Sequence, residues 1–196
     1  MSGETDKTED FDLIKRFIHG ENRAFNELVL KHKNKVFNIC YRYTGHYEDA
    51  DDVAQEVFVK VYKSLKTFRF QAAFTTWLYT VTINTCKNKV SGARYRFFKS
   101  IFGFNKQYAN DENADIEFGD EKYSPRQTSE TKEKMNIIQT AINSLKSTQK
   151  EIVILRDIEG LSYSEISKIT GLKTGTVKSK ISRARELLKT KLEKML

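Results

Sequence analysis

The chain has 196 residues, a formal net charge of +8 at pH 7 and 39% hydrophobic residues, enough for one domain or two small ones with real cores. It contains no apolar run of about eighteen residues and begins with a polar, acidic stretch, so we expect no signal peptide, no membrane insertion and a cytoplasmic location. Its 2 cysteines are isolated and its 3 histidines lack the close pairing of a zinc site, which favours buried thiols over a disulfide framework or a metal centre.

Helical periodicity dominates the N-terminal part of the chain, after a short acidic tail over residues 1–10. Apolar side chains recur at helical spacing from Phe11 to Ile18, and a second apolar run extends from Ala24 to Tyr43. A single proline and a composition rich in Leu, Lys, Glu and Ile favour helices throughout. We therefore predict an N-terminal helical domain over residues 11–92.

The third predicted helix, from Tyr47 to Leu65, has an inner apolar face and an outer polar strip. Asp52, Gln55, Glu56 and Val59 recur at i, i+3, i+4 and i+7 on the outer side. Such a strip is most often a solvated helix face, but it is also a surface that a basic or polar partner helix could bind. The inner face contains Val53, Ala54, Val57, Phe58, Val61 and Leu65.

An aromatic and basic segment precedes the fourth predicted helix, which we expect to begin at Thr75 or Thr76. Unstacked bases lie against aromatic rings while basic groups hold the backbone, so the segment suits single-stranded nucleic acid. The alternative is that the rings belong to the domain core, and spacing favours that interpretation for Trp77. The segment contains Phe68, Arg69, Phe70, Phe74 and Trp77, followed by Asn84, Lys87, Asn88 and Lys89.

Residues 93–131 are interpreted as a flexible linker between two domains. Weak periodicity, glycine and proline residues, and blocks of like charge are typical of such a segment. Its first part is basic and aromatic, and six acidic residues then fall within the range 111–121. A plain spacer and a contact role both stay open from the residues alone.

A helix-turn-helix is predicted within the C-terminal domain, residues 132–196. Ser162 or Ser164 can cap its first helix, and Gly171 can adopt the left-handed conformation that ends it. Thr174 is then expected to cap a second helix with an apolar inner stripe at helical period. The stripe contains Val177, Ile181, Ala184 and Leu188, and the opposite face carries Gly175, Ser179, Ser182, Arg183 and Glu186, with Lys178 on its flank.

Positive charge is concentrated on this second helix and the residues around it. From 171 to 196, eight basic residues stand against two acids, a net of +6 out of +8 for the whole chain. An ordinary helical hairpin with a solvated basic face would show the same apolar spacing, but this charge favours phosphate binding. The second helix is therefore predicted to enter a DNA major groove.

The two halves together resemble the sigma-70 family of bacterial transcription initiation factors, and specifically its extracytoplasmic-function (ECF) group. The resemblance rests on four motifs and their spacing: Asp49 to Phe58, Phe74 to Tyr79, Leu155 to Ile166 and Gly175 to Leu187. It implies an all-α fold with two small helical domains joined by a flexible linker. It also implies a sigma factor that binds core RNA polymerase, directs it to specific promoters and helps to open them.

The resemblance further implies which surface binds which partner. The N-terminal domain would bind the polymerase clamp region of the β′ subunit and the minus-10 promoter element, and the C-terminal domain would bind the β flap and the minus-35 element. An anti-sigma factor is a frequent further partner in the family, although no residue of this sequence reveals one. Carried over by position, the polymerase-binding residues are Asp52, Gln55 and Glu56, the minus-10 residues are Phe70, Gln71, Ala72, Ala73, Phe74, Asn84, Lys87 and Asn88, and the minus-35 residues are Lys178, Ser179, Ser182 and Arg183.

Two departures from the family pattern affect these expectations. The loop after Arg69 continues with Phe70 and Gln71, where the family usually has a glycine and an acid, and this would alter its base preference. Lys146 replaces the proline that usually begins the second domain, a change of little consequence. For the acidic block at 111–121, our hypothesis is that it mimics nucleic-acid charge in the polymerase cleft.

Other functional classes fit the sequence less well. No nucleophile with its base, glycine-rich phosphate loop or metal-ligand set is evident, so we expect no enzyme activity and no cofactor. A stand-alone helix-turn-helix regulator would leave the strip of Asp52, Gln55 and Glu56 without a role. A purely protein-binding regulator that sequesters polymerase would not need the C-terminal charge of +6.

Overall fold

The computed structural model describes the backbone of residues 2–101 and 129–195, and the side chains of residues 7–92 and 134–195. Within these ranges every regular element is helical, so the predicted all-α class is confirmed. The acidic block at 111–121, and with it our charge-mimicry hypothesis, lies outside the described residues. No helix in the described part of the chain is both long enough and apolar enough to traverse a bilayer.

Four helices pack around a common core in the N-terminal domain. All six residues predicted for the inner face of the third helix are buried, which fixes the rotation of that helix and turns its polar strip outward. The two cysteines, Cys40 and Cys86, are buried in the same core with their Sγ atoms 3.8 Å apart. The helices are α1 (Ser2–Ile18), α2 (Asn22–Thr44), α3 (Tyr47–Ser64) and α4 (Phe74–Ile101), with a 3-10 turn at Leu65–Thr67.

Two of these helices extend beyond the predicted limits. Helix α1 begins within the stretch interpreted as an acidic tail, and Asp10 at the end of that stretch is buried and not solvated. Its Oδ1 atom lies 2.9 Å from Nε2 of buried His32 on α2, so the acid ties the two helices together. Helix α4 continues past residue 92 into the range interpreted as linker.

The C-terminal domain contains the predicted helix-turn-helix. Ser162 caps its first helix with a full capping box, and Gly171 ends that helix with a φ of 73°. Thr174 is not a cap as we expected: it is the first helical residue, and Lys173 occupies the cap position without a side-chain bond. The helices are α5 (Ser129–Asn143), α6 (Ser147–Val153), a π-helical turn at Ile154–Ile158, α7 (Tyr163–Thr170) and α8 (Thr174–Leu192).

The cores of the two domains are continuous. Ile152, Leu155 and Ile166 of the C-terminal domain are fully buried, and they belong to the same apolar cluster as the N-terminal core. Helix α5 and the π-helical turn contact α2, while α7 contacts α4. The C-terminal domain therefore lies directly on the N-terminal domain across α2 and α4.

Candidate functional site

The polar strip of α3 lies on the surface, where its helical phase predicted it. Asp52 and Glu56 are exposed and Gln55 is half-buried. Lys89 Nζ lies 3.0 Å from Asp52 Oδ2, and Lys60 Nζ lies 2.7 Å from Glu56 Oε1. These ion pairs are solvent-exposed and individually weak, so a partner's cations can replace them at little cost.

An apolar groove adjoins this strip and was not predicted from the sequence. Val59 is 51% exposed and Tyr62 is 47% exposed, and together with Phe25 and Val29 of α2 they line a cavity of about 350 Å³. In the sequence, Val59 is the single apolar member of the strip. Phe25 and Val29 of the groove come from α2, and only the packing of α2 against α3 brings them beside Val59. An exposed apolar patch bordered by polar residues is typical of a protein-binding surface.

The aromatic residues around the start of α4 form one packed cluster. Phe68 and Phe74 are 9% and 1% exposed, and Trp77 lies 5.6 Å from the ring of Phe68 and 5.8 Å from that of Phe74. Phe11 of α1, which is distant from this segment in the sequence, joins the cluster with its ring 6.0 Å from that of Phe68. Phe68 and Phe74 therefore belong to the core, whereas Trp77 and Phe70 are half-buried and pack against it.

Phe70 differs from its neighbours in backbone conformation. Its φ is 55°, in the left-handed region that residues with a Cβ rarely adopt. Its half-buried ring packs edge-on against Phe11 at 5.2 Å and against Phe68 at 5.1 Å. The ring contacts hold the loop in a conformation that its backbone disfavours, and such strain is concentrated at functional sites.

The residues expected to contact the minus-10 element are not equally accessible. Gln71 is exposed and Ala72 and Ala73 are half-buried, so the loop is open to solvent. Phe74 is instead buried in the core, and from there it cannot contact a base. We correct its expected role from contact to support of the loop.

Helix α4 also presents a polar face, further along the chain than the loop. Asn84 and Asn88 are exposed, at i and i+4 on one side of the helix. Lys87 lies between them, and its ammonium group forms an ion pair with Glu151 of α6. Burial raises the pKa of the Glu151 carboxyl above its usual range, although Lys87 and Lys180 lower it in part. The sequence held no signal for this pairing because its two members belong to different domains.

The outer face of α8 is accessible as predicted. Lys178, Ser179, Ser182 and Arg183 are all exposed, while the inner residues Val177, Ile181 and Ala184 are buried. The Lys178 ammonium lies 5.6 Å from the ring centre of Tyr163 on α7, which orients it at the edge of the face. Small and basic side chains on one exposed helix face can approach both phosphates and base edges.

Arg185 is distinguished from Arg183 by its partner. Its guanidinium group forms a two-nitrogen ion pair with Asp157 at the π-helical turn. This pairing raises the pKa of Arg185 and ties α8 to the rest of its domain. Arg183 is therefore the better candidate for DNA contact, although both arginines were counted in the basic charge of this segment.

Comparison with protein families identifies both domains. Residues 28–95 match the family model described as Sigma-70 region 2, and residues 135–188 match that described as Sigma-70, region 4. The two matches cover more than half of the 196 residues. They contain the α3 strip, the aromatic loop, the α4 face and the α8 face.

Relatives of known name match along nearly the whole chain. The ECF RNA polymerase sigma-E factor of Haemophilus influenzae is 33% identical over 190 residues, covering 95% of this chain and 97% of the relative. The RNA polymerase sigma-H factor of Pseudomonas aeruginosa is 35% identical over 191 residues, covering 96% of each chain. Among solved structures, the sigma factor RpoE in complex with the anti-sigma factor NepR from Bartonella quintana superposes with a TM-score of 0.65 at 22% identity, covering 86% of this chain and 96% of that one.

Proposed function

Because the chain belongs to the sigma-70 family, in its extracytoplasmic-function group, we propose that three separate surfaces share the work of transcription initiation. The protein is an RNA polymerase sigma factor, which directs core polymerase to particular promoters and assists their opening. The main support for separate binding surfaces is that the acidic strip of α3 and the basic face of α8 are both exposed and lie in different domains of one chain. It acts in the cytoplasm, by binding and without catalysis of its own.

The first surface binds core polymerase, at the clamp region of the β′ subunit. Asp52, Gln55 and Glu56 supply charge and hydrogen-bonding groups, and the groove at Val59 and Tyr62 supplies apolar area. A partner helix with basic side chains beside an apolar ridge would satisfy both. The β flap contacts the C-terminal domain in the same proposal.

A charge reversal with a closely matched control tests this surface. Glu56→Lys should weaken binding to purified core enzyme by at least about tenfold, since a favourable charge contact becomes a repulsive one. Asp12→Lys is the control: Asp12 is also an exposed acid paired with a cation one helical turn away, at 3.9 Å from Arg16, but it lies on α1. Equal affinities of the two variants, measured by fluorescence anisotropy of labelled protein, would refute the docking role of the strip.

The second surface holds the opened strand of the minus-10 element. Gln71, Ala72 and Ala73 line the open loop, where an unstacked base can be accommodated, and Asn84, Lys87 and Asn88 face the strand from α4. Capture of an unstacked base would offset an unpairing cost on the order of a few kcal/mol. The half-buried ring of Phe70 contributes to the same contact, while the buried Phe74 supports the loop.

The third surface reads the minus-35 element in the major groove. Lys178, Ser179 and Ser182 lie beside Arg183 on the exposed face of α8, with the guanidinium group free to contact a guanine edge. Arg183→Ala should reduce discrimination at one base pair by about 1–3 kcal/mol, which is about 5- to 160-fold. Arg185→Ala should leave base preference unchanged, because that side chain is bound to Asp157. Identical loss of preference in both variants would count against the assignment.

Run-off transcription with purified core enzyme tests the whole proposal. Transcripts that depend on both the promoter and the added protein are expected. Tight binding to a palindromic site without polymerase would favour the stand-alone regulator instead. We propose an anti-sigma factor as a further partner, supported by the Bartonella relative seen with one, and co-purification of a small partner that abolishes run-off transcription would test it.

A further inference from the structure

Two buried thiols lie against each other where α2 packs on α4. Cys40 belongs to α2 and Cys86 to α4, and both side chains are 0% exposed. Their Sγ atoms are 3.8 Å apart, in contact but not bonded, so both cysteines are free thiols. The surfaces described above for polymerase and DNA leave this pair without a role.

The separation of the two helices is one that a disulfide can span. Packed helices usually have axes about 8–10 Å apart, and each Cα lies about 2.3 Å from its axis. Residues that face each other across such a contact therefore have Cα atoms about 3.4–5.4 Å apart, which overlaps the range of about 4.4–6.8 Å found in disulfides. The bond would form if the sulfur atoms moved from 3.8 Å to about 2.05 Å apart.

Burial determines how this pair can react. Desolvation, together with the neighbouring sulfur of Cys86, raises the pKa of the Cys40 thiol, so the reactive thiolate is scarce. A first oxidation is therefore slow and depends on opening of the core. The second step is favoured because the other sulfur already lies in contact, whereas further oxidant is excluded again once the core closes. The expected product is a disulfide and not a sulfinic acid.

We propose that Cys40 and Cys86 form an intramolecular disulfide on exposure to hydrogen peroxide, and that this bond weakens capture of the minus-10 strand. In the first step one thiolate attacks a peroxide oxygen, the O–O bond breaks, and a sulfenic acid and one water result after protonation. The second thiol then attacks the sulfenic sulfur, the S–S bond forms and a second water leaves. Peroxide takes up the two electrons that the two sulfurs lose.

The position of Cys86 on α4 connects the disulfide with DNA binding. Asn84, Lys87 and Asn88 of the proposed minus-10 surface lie within two residues of it. Because both sulfurs are enclosed in a packed core, shortening their contact by about 1.8 Å shifts α4 against α2. This effect rests on the assignment of α4 to the minus-10 surface, whereas formation of the disulfide does not. Disulfides of cytosolic proteins are usually transient and redox-sensing, as proposed for this one.

Peptide mass spectrometry tests the disulfide without any DNA or polymerase. The folded full chain is incubated with hydrogen peroxide, then unfolded, alkylated and digested. The expected product is a cross-linked peptide that contains Cys40 and Cys86 and is two hydrogens lighter than its two parts together. A parallel sample with iodoacetamide at the same concentration shows how long the thiols take to become accessible. Thiols that stay reduced for that time, or sulfinic acid in place of the cross-link, would overturn the proposal.

Run-off transcription tests the effect of the disulfide on function. Peroxide is removed before core enzyme is added, so that only this chain is oxidised. The oxidised protein should give about threefold less transcript than the reduced protein, because α4 is displaced, and dithiothreitol should restore the yield. The double variant Cys40→Ala with Cys86→Ala is the control, and peroxide should leave its yield unchanged. Each protein is compared with its own untreated sample, so that any loss of stability in the variant cancels.

Affinity for core enzyme distinguishes a local effect from general damage. It should stay within about twofold on oxidation, since the polymerase-binding strip lies on α3. Equal transcript yields from oxidised and reduced wild type, or an equal loss in the double variant, would overturn the effect on strand capture. Loss of core binding in parallel with transcription would overturn it as well. The sigma function itself is judged separately, by the yield of the reduced wild-type chain.

Discussion

Replacing Phe70 by glycine and by alanine separates the strain of the loop from the packing of its aromatic ring. Phe70 has a φ of 55°, so the folded chain forces a residue with a Cβ into the left-handed region. Both substitutions remove the ring contacts with Phe11 and Phe68. Both variants should therefore be less stable than wild type, by about 2 kcal/mol from two aromatic contacts and partial burial.

The difference between the two variants isolates the backbone. Alanine keeps the left-handed penalty of about 1–2 kcal/mol, whereas glycine does not. The free energy of unfolding of the glycine variant is lowered by about 0.7 kcal/mol, because its unfolded chain has greater conformational freedom. The glycine variant should therefore be more stable than the alanine variant by about 0.8 kcal/mol, the reverse of the order in a helix.

Urea unfolding monitored by Trp77 fluorescence measures this difference. Trp77 is the single tryptophan of the chain and packs against Phe68, so it reports unfolding of the domain that contains the loop. Leu30, 65% exposed in the middle of α2, provides the control: there glycine should be less stable than alanine by about 1 kcal/mol. If alanine equals or exceeds glycine at position 70 while Leu30 behaves as expected, the strained loop conformation is refuted.

Three further predictions concern stability and reactivity. Ser162→Ala should lower the free energy of unfolding of the C-terminal domain by about 1 kcal/mol, since it removes the capping box, whereas Ser164→Ala should change it by less than about 0.5 kcal/mol. Burial alone would raise the pKa of Asp10, but its partners His32 and Lys31, the latter with Nζ 2.9 Å from Asp10 Oδ1, outweigh this effect and hold the pKa below its usual value. Its stabilisation is therefore present above about pH 4 and lost as pH falls through the lower folded-state pKa, and Asp10→Asn should flatten that acid limb of an unfolding titration. Burial raises the pKa of the Cys40 thiol, so Cys40 and Cys86 should react with a thiol reagent only as fast as the domain opens.

Each of these has a simple contrary outcome. Equal effects of the two serine substitutions, by circular dichroism during urea unfolding, would show that the cap does not stabilise α7. An unchanged acid limb in the Asp10→Asn protein would mean that other carboxyl groups govern acid unfolding. Immediate reaction of both thiols in folded protein would contradict their burial.

Periodic features could be predicted from the sequence because they depend on neighbours within one helix. The strip of Asp52 and Glu56 follows from the burial of the opposite side of α3, and the exposure of Arg183 follows from the inward stripe of α8. The start of α1 was missed because Asp10 looks like a tail residue. Only its pairing with His32, which lies on the next helix, makes its burial possible.

The amino-acid sequence by itself determined the set of helices and the outward face of each helix. Both follow from helical spacing and residue polarity. The tertiary structure decided which of those outward groups are accessible. Phe74 is enclosed by other rings, and Lys87 is held by an acid from the other domain. Arg185 is bound while Arg183 is free to bind. These distinctions arise from contacts between residues far apart in sequence, which no local pattern encodes.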